Sequence, residues 1–277
     1  MNKIEFAEKI AALYVEKKWY IEDFDAIVGS IIQKYSPDEL DFIYFLLKRF
    51  EKIPMQGYIG KIVGVLSGIP SLWLQGITKV YLYPLLPLSE SKKTKSSFLM
   101  CAIMSYSPQI TNHAFFSNVR LQLLEKEDLK NSAKKINAQN SLLLLVDDFI
   151  GSGETALNCI KDLWSTYNIA RGRMLVFSIA SSQVGYEKIR KVGVKVACGY
   201  VQKKGISQIS DLLKKQEYTD MMKNIEQNID VDPEYNFGYG QCESLISMER
   251  TPNNTFPFFW LKNEKNRPLF KREKKKC

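Results

Sequence analysis

The sequence predicts an α/β protein: a doubly wound, mainly parallel sheet, preceded by a helical N-terminal module and followed by a hood-like C-terminal extension. Three observations predict it. Residues 141–146 read Ser-Leu-Leu-Leu-Leu-Val, a nearly pure apolar run of the kind that marks a strand buried on both faces. Strand-like and helix-like segments then alternate with short links as far as Gly199, the pattern of a parallel sheet with crossover helices. The first 55 residues, by contrast, show only helical spacing of their apolar positions. The expected boundaries are 1–75 for the helical module, 76–205 for the α/β core, 206–260 for the extension and 261–277 for a basic tail.

In the module, Phe6, Ile10, Leu13 and Tyr14 recur at helical spacing, as do Phe24, Ile27, Val28, Ile31 and Ile32. Ser36-Pro37-Asp38-Glu39 is a helix start: Ser36 can cap, Pro37 sits at the first helical position and Glu39 completes a capping box. The helix that follows runs to Phe50. We read the module as a bundle packing on its neighbour or on a partner, with a DNA-binding helix-turn-helix as the alternative. The longest apolar stretch, from Tyr58 to Leu74, is broken by Lys61, Gly64, Gly68 and Pro70. A spanning helix needs about 20 mostly apolar residues, so this stretch reads as buried core or interface and no membrane partner is expected.

From Val80 to Tyr83 a short β-rich run ends at Pro84. Residues 88–97 are polar and basic, an apolar helix follows from Ser97 to about Met104, and helical signals return over 121–133. After the 141–146 strand and a polar turn, a helix runs from Glu154 to about Tyr167, with Ala156, Leu157, Ile160, Leu163 and Trp164 as its inward face. A strand (174–180), a helix (184–191) and a strand (194–199) complete the alternation. Beyond Gly205 come a helix over about 209–227, a strand-like 244–248 and the segment Thr251-Pro252-Asn253-Asn254-Thr255 leading to Trp260. The basic, polar composition after Trp260 is that of a mobile tail.

The 277 residues are 45% hydrophobic and 25% charged, proportions of a globular protein that exclude disorder over the whole length. A net charge of +9 favours anionic partners such as nucleotides or nucleic acid. The five cysteines include no C-x-x-C pair and His113 is the single histidine. This argues against a structural zinc site and a disulfide framework, and for a reducing compartment, read as the cytoplasm. The first residues carry no signal-peptide apolar region.

The informative segment is residues 142–155, Leu-Leu-Leu-Leu-Val-Asp147-Asp148-Phe149-Ile150-Gly151-Ser152-Gly153-Glu154-Thr155. In doubly wound sheets ligands bind at the carboxyl ends of strands. Gly151 and Gly153 let the backbone turn tightly and approach a ligand. Loop amides and a helix N-terminus offer donors and a positive dipole to a phosphate, and Ser152 and Thr155 add hydroxyls. Asp147 and Asp148 would repel a phosphate, so they serve another part of the ligand. A ribose diol suits them, because ionised carboxylates are pure acceptors; they can also hold Mg²⁺ or its waters. Phosphate on the loop and sugar on the carboxylates together describe a ribose 5-phosphate.

At these residues the sequence resembles the type I phosphoribosyltransferases, whose signature is an apolar strand, two acidic residues, two apolar residues and a Thr/Ser/Gly-rich phosphate loop. Phe149, Gly151 and Glu154 depart from the usual loop residues. The resemblance extends from about Lys79 to Tyr200 and implies a sheet of that kind. It implies Asp147 and Asp148 as the catalytic pair and Gly151, Ser152, Gly153, Glu154 and Thr155 as the 5-phosphate loop. It also places a pyrophosphate loop at residues 88–97, with Lys92, Lys93, Lys95, Ser96 and Ser97 as candidates. Mg²⁺ would be bound mainly through the substrate, phosphoribosyl pyrophosphate or a nucleotide, with no dedicated protein metal site. The whole arrangement resembles the phosphoribosyltransferase-like effectors of bacterial stress and antiphage conflict systems, retron-associated ones among them. Some members of the wider family are regulators, which implies the alternative of a non-catalytic sensor acting on a DNA or protein partner through the N-terminal helices. An oligomer is compatible with either.

Rival readings of the same residues are weaker. Gly151-x-Gly153-x-x-Ala156 matches a dinucleotide fingerprint, but the next strand leads into Ser181-Ser182-Gln183 rather than an acidic residue. A P-loop lacks its Gly-Lys-Ser/Thr ending. The plainest reading is a capped helix with Asp147 and Asp148 as surface turn residues, which leaves the conjunction unexplained. His113, among aromatics, reads as structural rather than as a base. Cys159 reads as buried and inert. Phe256, Phe258, Phe259 and Trp260 read as core or lid, or as a surface for stacking a base. Asn253 and Asn254 read as a turn. The run 262–276 is a solvated tail or a nonspecific nucleic-acid contact.

Overall fold

The structure, a computed structural model, describes residues 1–90 and 95–272. In chain order the elements are helices α1 (Lys3–Glu16), α2 (Phe24–Lys34) and α3 (Pro37–Lys48), strand β1 (Glu51–Lys52), α4 (Tyr58–Ser67), β2 (Lys79–Pro84), α5 (Ser96–Tyr106), α6 (Pro108–Thr111), β3 (Arg120–Leu123), α7 (Asp128–Ile136), β4 (Ser141–Ile150), α8 (Glu154–Tyr167), β5 (Met174–Ser182), α9 (Gln183–Lys191), β6 (Lys195–Gln202), α10 (Leu212–Asn228) and β7 (Ile246–Ser247). The capping box of α3 forms as expected: Ser36 accepts from the Glu39 amide while the Glu39 carboxylate accepts from the Ser36 amide.

The chain divides into two units, Met55–Val201 and a discontinuous one made of Met1–Pro54 with Gln202–Cys277. The α/β unit holds a sheet of order β3-β2-β4-β5-β6, parallel from β3 to β5. Side chains alternate across a strand. Leu143, Leu145 and Val176 face a core built with α7, α8 and α9; Val80, Leu82, Leu144, Val146 and Phe177 are fully buried on the other face, where α4 and α5 pack. Double coverage is why the 141–146 run is apolar without alternation. The chain leaves β2 toward one sheet edge and β4 toward the other. The topological switch point therefore lies between these two strands, paired up to Pro84 and Val146.

In the discontinuous unit, α1, α2 and α3 turn Phe6, Ile10, Ile31, Phe42 and Leu46 inward against Met222, Ile225, Phe256, Phe259 and Phe270 of the C-terminal segment. A short parallel ladder joins β1 to β7. The expected boundary at 75/76 thus differs from the division at 54/55. The reason is α4, whose Tyr58, Ile62 and Leu66 are buried as a layer of the sheet.

Three further differences have clear causes. The segment 121–133 begins as β3, an edge strand whose residues are mostly exposed, so it left no apolar run to read. In α8 the buried stripe is Ala156, Cys159, Ile160 and Leu163. Trp164 is 48% exposed and carries the Arg171 guanidinium over its ring, 4.8 Å from the centroid. The basic segment after Trp260 is docked as far as the described residues go. Leu269 and Phe270 are buried, and Phe270 stacks on Phe50 at 4.1 Å and 4°. These two apolar residues anchor it together with Asn266, which donates to the Phe258 and Leu261 carbonyls.

Candidate phosphoribosyl site

At the carboxyl end of β4, Asp147 and Asp148 are positioned by different elements. Asp148, 7% exposed, accepts a 2.8 Å hydrogen bond from the Tyr58 hydroxyl of α4. Asp147, half-buried, accepts from the Ser96 hydroxyl at 2.9 Å and from the Asp148 amide at 2.9 Å. Burial, and next the adjacent Asp148 carboxylate, push the Asp147 carboxyl well above its ordinary value. Two carboxylates so placed repel, and the arrangement favours a ligand that brings hydroxyl donors or a cation.

The loop after the pair is braced from behind. Gly153 has φ +81°, the left-handed region that glycine enters without steric cost, and it forms the N-cap of α8. The intrahelical ladder starts with the Leu157 amide donating to the Gly153 carbonyl, so the amides before it point out of the helix end. The helix macrodipole places roughly half a positive charge there. Ser182, the N-cap of α9, donates to the Gly151 carbonyl at 2.6 Å and accepts from the Gly185 amide at 3.1 Å. Gly185 touches the loop so closely that an added Cβ would lie 2.3 Å from the Gly151 oxygen. Ser181 donates within reach of the Ile150 carbonyl. Ser152 is buried, Thr155 is half-exposed and Glu154 lies on the exposed side of the helix start.

This arrangement sits at the switch point, on the strand ends where doubly wound sheets bind ligands. Residues 85–272, well over half of the chain, match the PRTase-CE family model. The chain belongs to the PRTase-CE family. No curated protein matches the sequence. Among solved structures, the orotate phosphoribosyltransferase from Aeropyrum pernix is similar at 11% identity, with 50% of this chain and 68% of that chain covered and a TM-score of 0.29.

In this PRTase-CE chain the expected residues fall into distinct groups. Asp147, Asp148, the Gly151–Gly153 turn, the start of α8 and Ser96 come together. Lys95 pairs with Glu90, so its charge is already compensated. Ser97 is fully buried and its hydroxyl finds no hydrogen-bond partner among the described residues, which makes it a packing residue of α5. Lys92 and Lys93 lie outside the described residues. Cys159 is buried, and burial raises its thiol further. Burial, with the Asp147 charge added, pushes the Cys101 thiol up to about 12, so neither sulfur serves as a nucleophile near pH 7. His113 accepts from the Phe115 amide at Nδ1, which assigns the proton to Nε2, 3.0 Å from the Ser67 hydroxyl. It caps a short turn.

Phe256, Phe258, Phe259 and Trp260 are core of the discontinuous unit. Asn254 donates to the Tyr239 carbonyl, a structural clamp. Sequence reasoning missed Tyr58, Ser182, Gly185 and Lys188, whose Cβ lies 3.5 Å from where a Cβ on Gly153 would stand. The Ser182-x-x-Gly185 spacing was the available signal for the brace. Nothing local announces Tyr58, which reaches Asp148 across 90 residues.

Proposed function

We propose that this chain binds phosphoribosyl pyrophosphate or a ribose 5-phosphate nucleotide and makes or breaks a bond at the anomeric carbon. The observation that carries the reading is the acidic pair at the switch point running directly into a braced glycine turn and a helix N-terminus. The Gly151–Gly153 amides and the α8 dipole suit the 5-phosphate. Asp147 and Asp148 suit the ribose hydroxyls, with Tyr58 and Ser96 each donating to one of the two carboxylates.

Mg²⁺ fits this donor set. The ion keeps most of its waters and is commonly held through one or two carboxylates plus substrate phosphates, and a hydrated, phosphate-borne ion would meet Asp147 and Asp148. When bound it would neutralise the departing pyrophosphate. The protein's own part is positional and electrostatic. It fixes the phosphate and the ribose ring while the bond from C1 to the pyrophosphate oxygen breaks and a bond from C1 to the acceptor forms, the acceptor losing its proton. The resemblance to bacterial stress and antiphage effectors is the ground for placing this activity in a defence response.

A second reading is favoured by the loop departures at Phe149, Gly151 and Glu154: a sensor that binds the same ligand without turnover. Pyrophosphate release from phosphoribosyl pyrophosphate with Mg²⁺, measured for wild type and Asp147→Asn/Asp148→Asn, separates the two. Release by wild type and none by the variant supports the enzyme. Calorimetric binding without release under a screen of acceptors supports the sensor, and no binding by wild type overturns both.

A further inference from the structure

In the discontinuous unit, the turn between α1 and α2, strand β1 and the C-terminal segment enclose a cavity of about 320 Å³. Its walls carry Lys52, Lys262, Arg267 and Lys271 against two carboxylates, Glu22 and Asp23, and the ring of Tyr20. Tyr20 is 85% exposed. Among the described residues, Lys262 and Arg267 have neither an ion-pair nor a hydrogen-bond partner. Lys52 is anchored on neutral acceptors: the Met248 carbonyl at 2.7 Å, the Ser247 hydroxyl at 3.1 Å and the Glu249 carbonyl at 3.5 Å. Its ammonium is therefore fixed in place; burial holds it below the ordinary lysine value, with the Glu249 charge acting against that shift. Phe270, stacked on Phe50, holds the segment that supplies the other cations.

Four cations around one concavity repel one another, and low-dielectric walls focus their field outward. No pairing among the described residues accounts for Lys262 and Arg267, so an anion from outside is what the geometry accommodates. The volume lies at the small end of ligand pockets, which run from about 300 to 1,000 Å³, and suits one nucleotide-sized group. The exposed tyrosine supplies a face on which a base stacks without sequence preference.

We propose that this cavity is a second anion site that takes a single nucleotide unit, with its phosphate on Lys262, Arg267 and Lys271 and its base against Tyr20. Glu22 and Asp23 repel phosphate and direct it to the C-terminal cations. A free nucleotide and one residue of a single strand present the same chemistry. For a strand, each neutralised phosphate contributes roughly 0.7 to the slope of log affinity against log salt. The one phosphate held here then gives a slope of about −0.7, a loss of about 1.6-fold per doubling of salt.

The test uses the full chain and a fluorescent single-stranded oligothymidylate, with thymidine monophosphate and inorganic phosphate as competitors. Lys262→Glu/Arg267→Glu is expected to weaken binding at least about tenfold and to bring the salt slope close to zero. Tyr20→Ala is expected to weaken it severalfold. Asp147→Asn/Asp148→Asn is expected to leave it unchanged, which separates this site from the phosphoribosyl site. Competition by the mononucleotide at matching nucleotide concentration identifies a free nucleotide as the ligand; its failure to compete identifies a strand. The proposal is overturned if the double charge reversal binds like wild type. It is equally overturned if inorganic phosphate competes as well as the mononucleotide and Tyr20→Ala has no effect, the signature of simple counter-ions. Both reversed residues are exposed; should the reversed protein melt early, Lys262→Gln/Arg267→Gln carries the same comparison.

Discussion

Replacing Gly185 with alanine tests whether the phosphate loop is held from behind. Helix propensity alone favours the change, by about 0.5–1 kcal/mol, since Gly185 lies within α9. Packing opposes it. The added Cβ would stand 2.3 Å from the Gly151 oxygen, 2.8 Å from Ile150 Cγ2 and 3.1 Å from the Gly153 nitrogen, where real Cβ atoms keep at least 3.0 Å. The nearest atom is backbone and has no rotamer to escape into, so loop and helix must part by about 0.7 Å, the shortfall from 3.0 Å. Overpacking of this kind costs about 1–3 kcal/mol, which outweighs the propensity gain. Misplacing a positioning group by about 1 Å can cost about a hundredfold in rate. The expected outcome is a melting temperature lower by a few degrees and a larger loss of phosphoribosyl pyrophosphate affinity, read by thermal denaturation and calorimetric titration. Gly172→Ala, with nothing within 4 Å of its new Cβ, is the control. Wild-type melting together with wild-type affinity in Gly185→Ala would refute the bracing argument.

Tyr58→Phe removes the hydroxyl that Asp148 accepts from, and a hydrogen bond to a charged group is worth about 1.5–3 kcal/mol; ligand affinity should fall roughly tenfold or more, with the overall fold retained by circular dichroism. Lys188→Ala should weaken phosphate binding severalfold and leave the melting temperature within about a degree, because its stem borders Gly153 on the surface of α9. Glu226 is 2% exposed, and burial raises its carboxyl to about 8 despite the Phe237 amide it accepts from. Between its ordinary value of 4.5 and about 8 the folded state binds more protons than the unfolded one, so stability falls as pH rises through that window. Glu226→Gln should flatten that part of a melting-temperature profile, and an unchanged slope would show that the carboxylate is paid for elsewhere. Phe270→Ala should cost about 3–5 kcal/mol in chemical denaturation; a surface tail would give no change.

What the sequence disclosed follows from where the physics is local. The buried strand β4, the capping box at Ser36 and the Asp147-Asp148-to-Gly153 turn are each written within a dozen consecutive residues, so periodicity and turn chemistry reveal them. The edge strand β3 escaped because an exposed edge needs no apolar run. The anchoring of Phe270 escaped because its partners, Phe50 and Trp19, lie more than two hundred residues away. The site divides in the same way. The residues that face the ligand were visible as a motif, whereas Tyr58, Ser182 and Gly185, which hold those residues in place, come from other elements and carry no signature of their own.

The helical unit is built from segments on either side of the α/β unit, and this orders its birth. Residues 55–201 form a contiguous α/β unit that is complete while the remainder is still being translated. Phe6, Leu40, Leu46 and Phe50 are made before that unit, and their apolar partners Phe256, Phe259 and Phe270 after it. At about 5–20 residues per second, the interval between Phe50 and Phe270 is on the order of ten to forty seconds. For that time the first-made helices present an open apolar face to the ribosome's surroundings. The nascent chain therefore has a long window in which chaperones can engage it, and the stretch that carries Phe256 to Phe270 closes that window.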